Sequence, residues 1–171
     1  MPQTGGAVSP PSTVEQAFRA HVRYVSAIAL RILGRDDEVD DVVQDVFLAA
    51  FKGLRALREM DAIKGWLATV TVRVATRRLR RRKLRGFFGL DEHQYDDVAA
   101  EGASPEQRAL LASVYAVIDK LPVNERVAWT LRHVEGMQLD DVARACGCSL
   151  ATAKRRIAAA HEKIDEAVSD G

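Results

Sequence analysis

Three groups of residues have the types and spacing to do chemistry, and in each the chemistry is recognition of charge. The first is Arg73, Arg77, Arg78, Arg80, Arg81, Arg82, Lys83 and Arg85, eight bases without an intervening acid. Like charges at i, i+4 on one helix repel. A polyanion relieves that repulsion and releases its own counterions. With Trp66 ahead of the run and Phe87-Phe88 behind it, nucleic acid is favoured over a merely solvated basic face. The second group is Ser149-Leu150-Ala151-Thr152-Ala153-Lys154-Arg155-Arg156. As the start of a helix it sets Thr152, Lys154 and Arg155 beside one another with Arg156 flanking, a set suited to the major groove, where Arg and Lys read guanine. The third is acidic: Asp36, Asp37, Glu38, Asp40, Asp41 and Asp45, with Arg35 the one base among residues 35–45. Solvation and the positive end of a helix account for Asp36, Asp37 and Glu38.

Bond-making chemistry is not expected. Cys146 and Cys148 are the chain's two cysteines, whereas a structural metal site takes four ligands and His133 is the nearest candidate in sequence. They read as a small core residue and a turn residue. His21, His93 and His161 show no ligand spacing. No Gly-rich phosphate loop or nucleophile–base pair is visible, so the expectation is no enzyme, no metal and no cofactor.

The elements that must position these groups are helices. The chain has 171 residues, 47% of them hydrophobic and only 6% aromatic, enough for one medium domain or two small ones. A formal net charge of +1 conceals blocks: residues 62–90 hold nine bases and no acid, and residues 91–101 hold five acids and neither Lys nor Arg. No apolar run approaches the ~18–20 residues of a membrane helix, and the start MPQTGGAVSPPST does not read as a secretory signal. Membrane insertion is not expected, and the chain reads as cytosolic. Residues 1–12 read as a disordered tail.

Phe18, Val22, Val25, Ile28 or Ala29, and Ile32 predict a first helix stopped by Gly34. Val39, Val42, Val43, Val46, Phe47, Ala50, Phe51 and Leu54 predict a second with one continuous stripe. Ile63, Trp66, Leu67, Val70 and Val74 predict a third, running into the basic residues and broken by Gly86 and Gly89. Residues 89–104 read as an acidic linker ending at the cap Ser104-Pro105. Beyond it, Leu110, Leu111, Val114, Val117, Ile118 and Leu121 share a stripe, and Pro122 opens a helix that ends at Gly136. Leu139–Cys146, a turn at Gly147 and a helix capped by Ser149 outline a helix-turn-helix. The fold class is therefore all-α, two small helical domains at 13–88 and 105–168.

At this level the sequence resembles a known family. DDEVDDVVQDVFLAAFKGL is similar to region 2.2 of the extracytoplasmic-function (ECF) group of sigma-70 factors, and IKGWLATVTVRVATRRLRRRK to regions 2.3 and 2.4. LPVNERVAWTLRHVEGMQLDDVARACGCSLATAKRRI is similar to region 4. The resemblance implies a sigma region 2 over 13–88, a region 4 over 105–168, and a protein that confers promoter specificity on core RNA polymerase without catalysis of its own. It implies that Asp41, Gln44 and Asp45 dock on the clamp helices of the largest polymerase subunit, and that region 4 meets the flap of the second-largest. Lys64, Trp66, Arg73, Arg77, Arg78, Arg81 and Arg82 would melt and hold the −10 element, and Ser149, Thr152, Lys154, Arg155 and Arg156 would read the −35 element. Promoter DNA and an anti-sigma factor are the further partners implied. The chain departs from the family pattern at Val72-Arg73, where Arg-Asn is common, at Arg77, where an acid is common, at Gln138 in place of a Ser cap, and at Ala158-Ala159-Ala160. A stand-alone helix-turn-helix regulator would explain residues 139–163, but neither the acidic helix nor the order of the blocks.

Overall fold

Helix α1, Thr13–Leu33, turns Val25, Ile28, Ala29 and Ile32 fully inward. It stops where Gly34 takes φ +73° and donates its N–H to the Leu30 carbonyl at 2.7 Å, the left-handed cap that only glycine adopts without strain. The computed structural model describes residues 13–53, 63–87 and 102–169, and every regular element among them is helical.

Helix α2, Val39–Gly53, buries Val42, Val46 and Ala50 completely. Phe51 departs from the expected stripe and is 64% exposed. Twelve residues past Val39, a 3.6-residue period has rotated by about 120°, which carries Phe51 off the inner face. Leu54, the last residue of that stripe, lies outside the described residues. Helix α3, Ile63–Phe87, runs on through Gly86. It lays Leu67, Ala68, Val74, Ala75 and Leu79 against α1 and α2. Buried Thr71 is satisfied by donating to the Leu67 carbonyl at 2.7 Å.

The second group begins with α4, Pro105–Lys120, and its start matches the expectation: Ser104 Oγ accepts from the Gln107 N–H, while Gln107 Oε1 accepts from the Ser104 N–H. That is a complete capping box. Helix α5, Val123–Trp129, passes into a π-helical turn at Thr130–Val134. Helix α6, Leu139–Cys146, has no side-chain cap at Gln138. It ends in a Schellman closure, with Gly147 at φ +61° donating to Arg144 O and Cys148 donating to Ala143 O. Helix α7, Leu150–Ser169, then packs Ala153, Ile157, Ala160 and Ile164 inward as expected. Leu110, expected in the α4 stripe, is 66% exposed.

The linker expected at 89–104 falls outside the described residues up to 101, and the helical groups on either side of it pack together. One core runs without a break from Val25 and Leu67 to Val127, Ala128, Leu131, Val142, Ala143 and Ile157. The two groups expected as separate domains thus share a seam, along which α3 packs on α5 and α6. A smaller cluster of Ile118, Leu121, Ala160 and Ile164 belongs to the second group alone.

The seam is polar where it meets the end of α1. The last carbonyls of any helix lack intrahelical partners and favour cations. Here Tyr115 Oη donates to Arg31 O at 3.2 Å, Arg126 Nε to Ile32 O at 3.1 Å and Arg126 Nη2 to Leu33 O at 2.9 Å. Arg126 is 1% exposed, and its remaining nitrogen is paired with Asp119. A methyl group on Gly34 would stand 2.9 Å from Tyr115 Cδ1 and 3.1 Å from Arg126 Nη2. Gly34 is therefore required twice, for its φ and for this close approach.

Candidate nucleic-acid interface

The basic run of α3 is divided by helix geometry into three stripes. Arg78, Arg82 and Arg85, at spacings of four and three, face their own region. Arg78 bridges Asp45 at 3.1 Å and Asp41 at 3.3 Å, and Arg85 reaches Glu38 at 3.4 Å. Arg82 is 3% exposed and donates from Nη2 to Leu33 O at 2.7 Å. Burial, then the neighbouring Arg126, lowers its pKa. Arg82, expected to meet nucleic acid, is turned inward in this arrangement, where its guanidinium caps α1.

The second stripe faces the seam. Arg80 donates to Asn124 Oδ1 at 3.0 Å, and Lys83 donates to Leu121 O. Burial is also the main cause that lowers the Lys83 pKa. Arg77 and Arg81 form the third stripe, exposed and without an ion pair among the described residues. Arg73, also exposed, lies at the mouth of a cleft of about 170 Å³ between α3 and the helix-turn-helix. Thr69, Val72, Arg73 and Thr76 form one wall, and Arg144, Cys146, Gly147 and Arg156 the other. Val72 is 2% exposed because the second group covers it. Ahead of the run, Trp66 is half-buried against the core. Exposed Lys64 holds Nζ 4.7 Å from the centroid of the Tyr24 ring, a cation–π contact.

On α7, Ser149 Oγ accepts from the Thr152 N–H at 3.2 Å and donates to Thr152 Oγ1 at 2.9 Å. Both hydroxyls are thus engaged in the cap. Lys154 and Arg155 project outward, while Arg156 is half-buried and turns into the cleft. On α2, Gln44 is exposed, whereas Asp41 and Asp45 are partnered by Arg78. Cys146 lines the cleft as a thiol whose pKa burial pushes up to about 11, helped by Cys148 and opposed by Arg156. At neutral pH it is protonated and a poor metal ligand. Among the described residues no group of three His, Cys, Asp or Glu side chains could hold a metal ion, and no helix is long and apolar enough to cross a membrane.

Sequence reasoning missed Tyr115 and Arg126. The available signal was a lone arginine directly ahead of the apolar pair Val127-Ala128, and an aromatic residue between the stripe positions Val114 and Ile118.

Fold and surface together define an all-helical protein of two packed groups, each with a basic helix and the second with a helix-turn-helix. Residues 17–85 match the Sigma-70 region 2 family and residues 111–164 the Sigma-70, region 4 family. The chain is 31% identical over 153 residues to the ECF RNA polymerase sigma factor SigM of Mycobacterium tuberculosis, covering 88% of this chain and 74% of that protein. It is 30% identical over 160 residues to the ECF RNA polymerase sigma-E factor of Escherichia coli, covering 86% and 83%. Against the ECF RNA polymerase sigma factor SigE of Mycolicibacterium smegmatis, identity is 30% over 158 residues, covering 90% of this chain but 60% of that protein. This chain belongs to the ECF sigma factor family. Two solved structures share its fold at 22% identity. The sigma factor RpoE in complex with the anti-sigma factor NepR from Bartonella quintana gives a TM-score of 0.68, covering 90% of this chain and 95% of that one. CnrH in complex with the cytosolic domain of CnrY gives 0.61, covering 92% and 88%.

Proposed function

We propose that this protein directs promoter-specific initiation of transcription in the bacterial cytoplasm by binding core RNA polymerase and recognising two promoter elements, without catalytic chemistry of its own. Residues 13–88 act as region 2 and engage the −10 element through Trp66 and the outward bases of α3. Residues 105–168 act as region 4 and read the −35 element through Lys154 and Arg155, with 89–104 as the linker. Exposed Gln44 and the acids beside it on α2 are the surface for the polymerase clamp helices, and region 4 is the part that meets the flap. An anti-sigma factor is a further partner, by analogy with the structural relative solved in complex with the anti-sigma factor NepR. The single observation that carries this reading is the outward placement of free bases on two separate helices of a family match that spans both: Arg77 and Arg81 on α3, Lys154 and Arg155 on α7.

The packed arrangement is not the one that works on DNA. Thr69, Val72 and Arg73 of α3 face α6 across the cleft, so the two groups must part before region 2 can hold a melted strand. Two promoter elements about one and a half turns of duplex apart are separated by roughly 50–60 Å. The linker must then be drawn out, because sixteen residues span at most about 53–58 Å. Deleting eight linker residues should abolish transcription from a promoter that the intact protein serves, with circular dichroism unchanged. A gel shift on promoter DNA with and without core polymerase tests the reading as a whole. Binding that needs polymerase supports it, and equally specific binding by the protein alone would return it to a stand-alone helix-turn-helix regulator.

A further inference from the structure

The cleft between α3 and the helix-turn-helix collects positive charge from both regions. Arg73 and Arg80 line it from α3, Arg144 from α6 and Arg156 from α7, and its lining includes no aspartate or glutamate. Thr69, Thr76 and Asn124 add hydroxyl and amide groups. Of these four guanidiniums only that of Arg144 has a carboxylate partner among the described residues. Arg80 is bonded to the uncharged Asn124 amide, and Arg144 pairs with Asp141 at 2.6 Å on an exposed helix surface, a kind of pair that contributes little. Like charges gathered from two packed bodies oppose their closure unless an anion sits between them.

We propose that a small phosphate-class anion — inorganic phosphate, pyrophosphate or the phosphates of a nucleotide — seats among Arg73, Arg80, Arg144 and Arg156 and clamps the two regions in the closed arrangement. Guanidinium forks match phosphate oxygens two at a time, which a chloride ion cannot reproduce. The cleft, at about 170 Å³, far exceeds the ~10–15 Å³ that admits one water. An anion that needs both walls binds the closed form alone, so it shifts the equilibrium toward closure by its own affinity. Binding does not depend on the proposed promoter function. Its consequence does: Arg73 and Arg156, occupied by the anion, are withdrawn from both DNA surfaces at once.

The test uses the full chain and titrates pyrophosphate calorimetrically at constant ionic strength, with inorganic phosphate and a nucleoside diphosphate as parallel arms. The expected result is one saturable site per chain. Affinity should fall about tenfold or more in Arg73→Gln and, separately, in Arg156→Gln, and stay unchanged in Arg23→Gln on the exposed side of α1. Hydrogen exchange should slow on both walls, residues 69–80 and 140–147, in the wild type and on neither in Arg156→Gln. Equal affinities for pyrophosphate and the nucleoside diphosphate would identify the bare phosphates as ligand, and a tighter nucleoside diphosphate would identify a nucleotide. Either supports the site. Binding that ignores both substitutions, slowed exchange on one wall only, or no saturable binding would each overturn it.

Discussion

Helices α3 and α7 are both long, each carries a basic cluster and each is proposed to meet DNA, yet they use their charges in opposite ways. On α7 three of the four Lys and Arg side chains, Lys154, Arg155 and Arg156, are gathered in the first two turns, and the inner face below them is Ala153, Ile157, Ala160 and Ile164. Lys154 and Arg155 there lie away from the core, and Arg156 flanks it. On α3 the bases run through the last four turns and around the helix, so some of them must point inward. Arg78 and Arg82 do, and they become structural. A dense basic run is therefore a poorer map of a nucleic-acid surface than a sparse one. Density forces part of the run into the protein's own interior.

The contrast can be broken most severely at Arg126. Arg126→Met should remove three interactions of a buried guanidinium, its pairing with Asp119 among them, at about 3–5 kcal/mol, the usual magnitude for breaking a buried pair. Denaturant unfolding would read it, and an unchanged midpoint would mean that the seam contributes nothing to stability. Next in size is the comparison of Arg82→Ala with Arg81→Ala. The first removes a charged hydrogen bond to a helix-end carbonyl and should cost about 1.5–3 kcal/mol. The second should stay within about 0.5 kcal/mol, while reducing the salt dependence of promoter binding by about 0.7–0.9 of a slope unit. Equal effects from the two would erase the distinction between inward and outward stripes.

Arg155→Ala should leave the melting temperature alone and lower base discrimination at the upstream element by about 1–3 kcal/mol where the contact is bidentate to guanine. Competition between wild-type and altered promoters measures it. On α2 the cleaner probe is Gln44→Arg, because Asp45→Arg would also set a like charge against Arg78. Weakened assembly with core polymerase at unchanged thermal stability is the expected outcome, and normal assembly would remove Gln44 from the docking surface.

The smallest effect concerns pH. His133 stacks between Trp129 and His161, with ring centroids 5.1 and 5.5 Å away. Burial first, then His161 and Arg132, lowers its pKa. The folded protein therefore disfavours the proton that the unfolded chain accepts near ~6.5. This contribution is complete above that value and is lost as pH falls from there through the lower folded value. The melting temperature of the wild type should drop more than that of His133→Phe between about pH 7.5 and pH 5.5. Parallel curves would show that the stack is indifferent to protonation.

The helices, the capping box at Ser104 and the turn at Gly147 were legible in the sequence because each rests on residues a few positions apart. So was the inward face of α7. The fate of Arg82 was legible in principle: Thr71, Ala75, Arg78, Arg82 and Arg85 continue the buried side of α3 at alternating spacings of four and three. Residue type, taken alone, concealed that continuity. The seam was not legible. Tyr115 and Arg126 interrupt local patterns for the sake of carbonyls more than eighty positions away, and helical periodicity carries no information about a partner at that distance. Family resemblance supplied roles for Asp41 and Asp45 and was silent on their pairing with Arg78.

The end of α1 has one more consequence, for how readily the two halves come apart. Its carbonyls at Arg31, Ile32 and Leu33 are bonded in the packed form by side chains of the second region, with Arg82 adding a bond of its own. These are the atoms of a helix that water can also reach once the cover is lifted. Separation then exchanges protein donors for solvent ones without undoing a single turn of α1. The joint can wet without melting, so it should open on the timescale of two bodies sliding apart, well ahead of any loss of secondary structure.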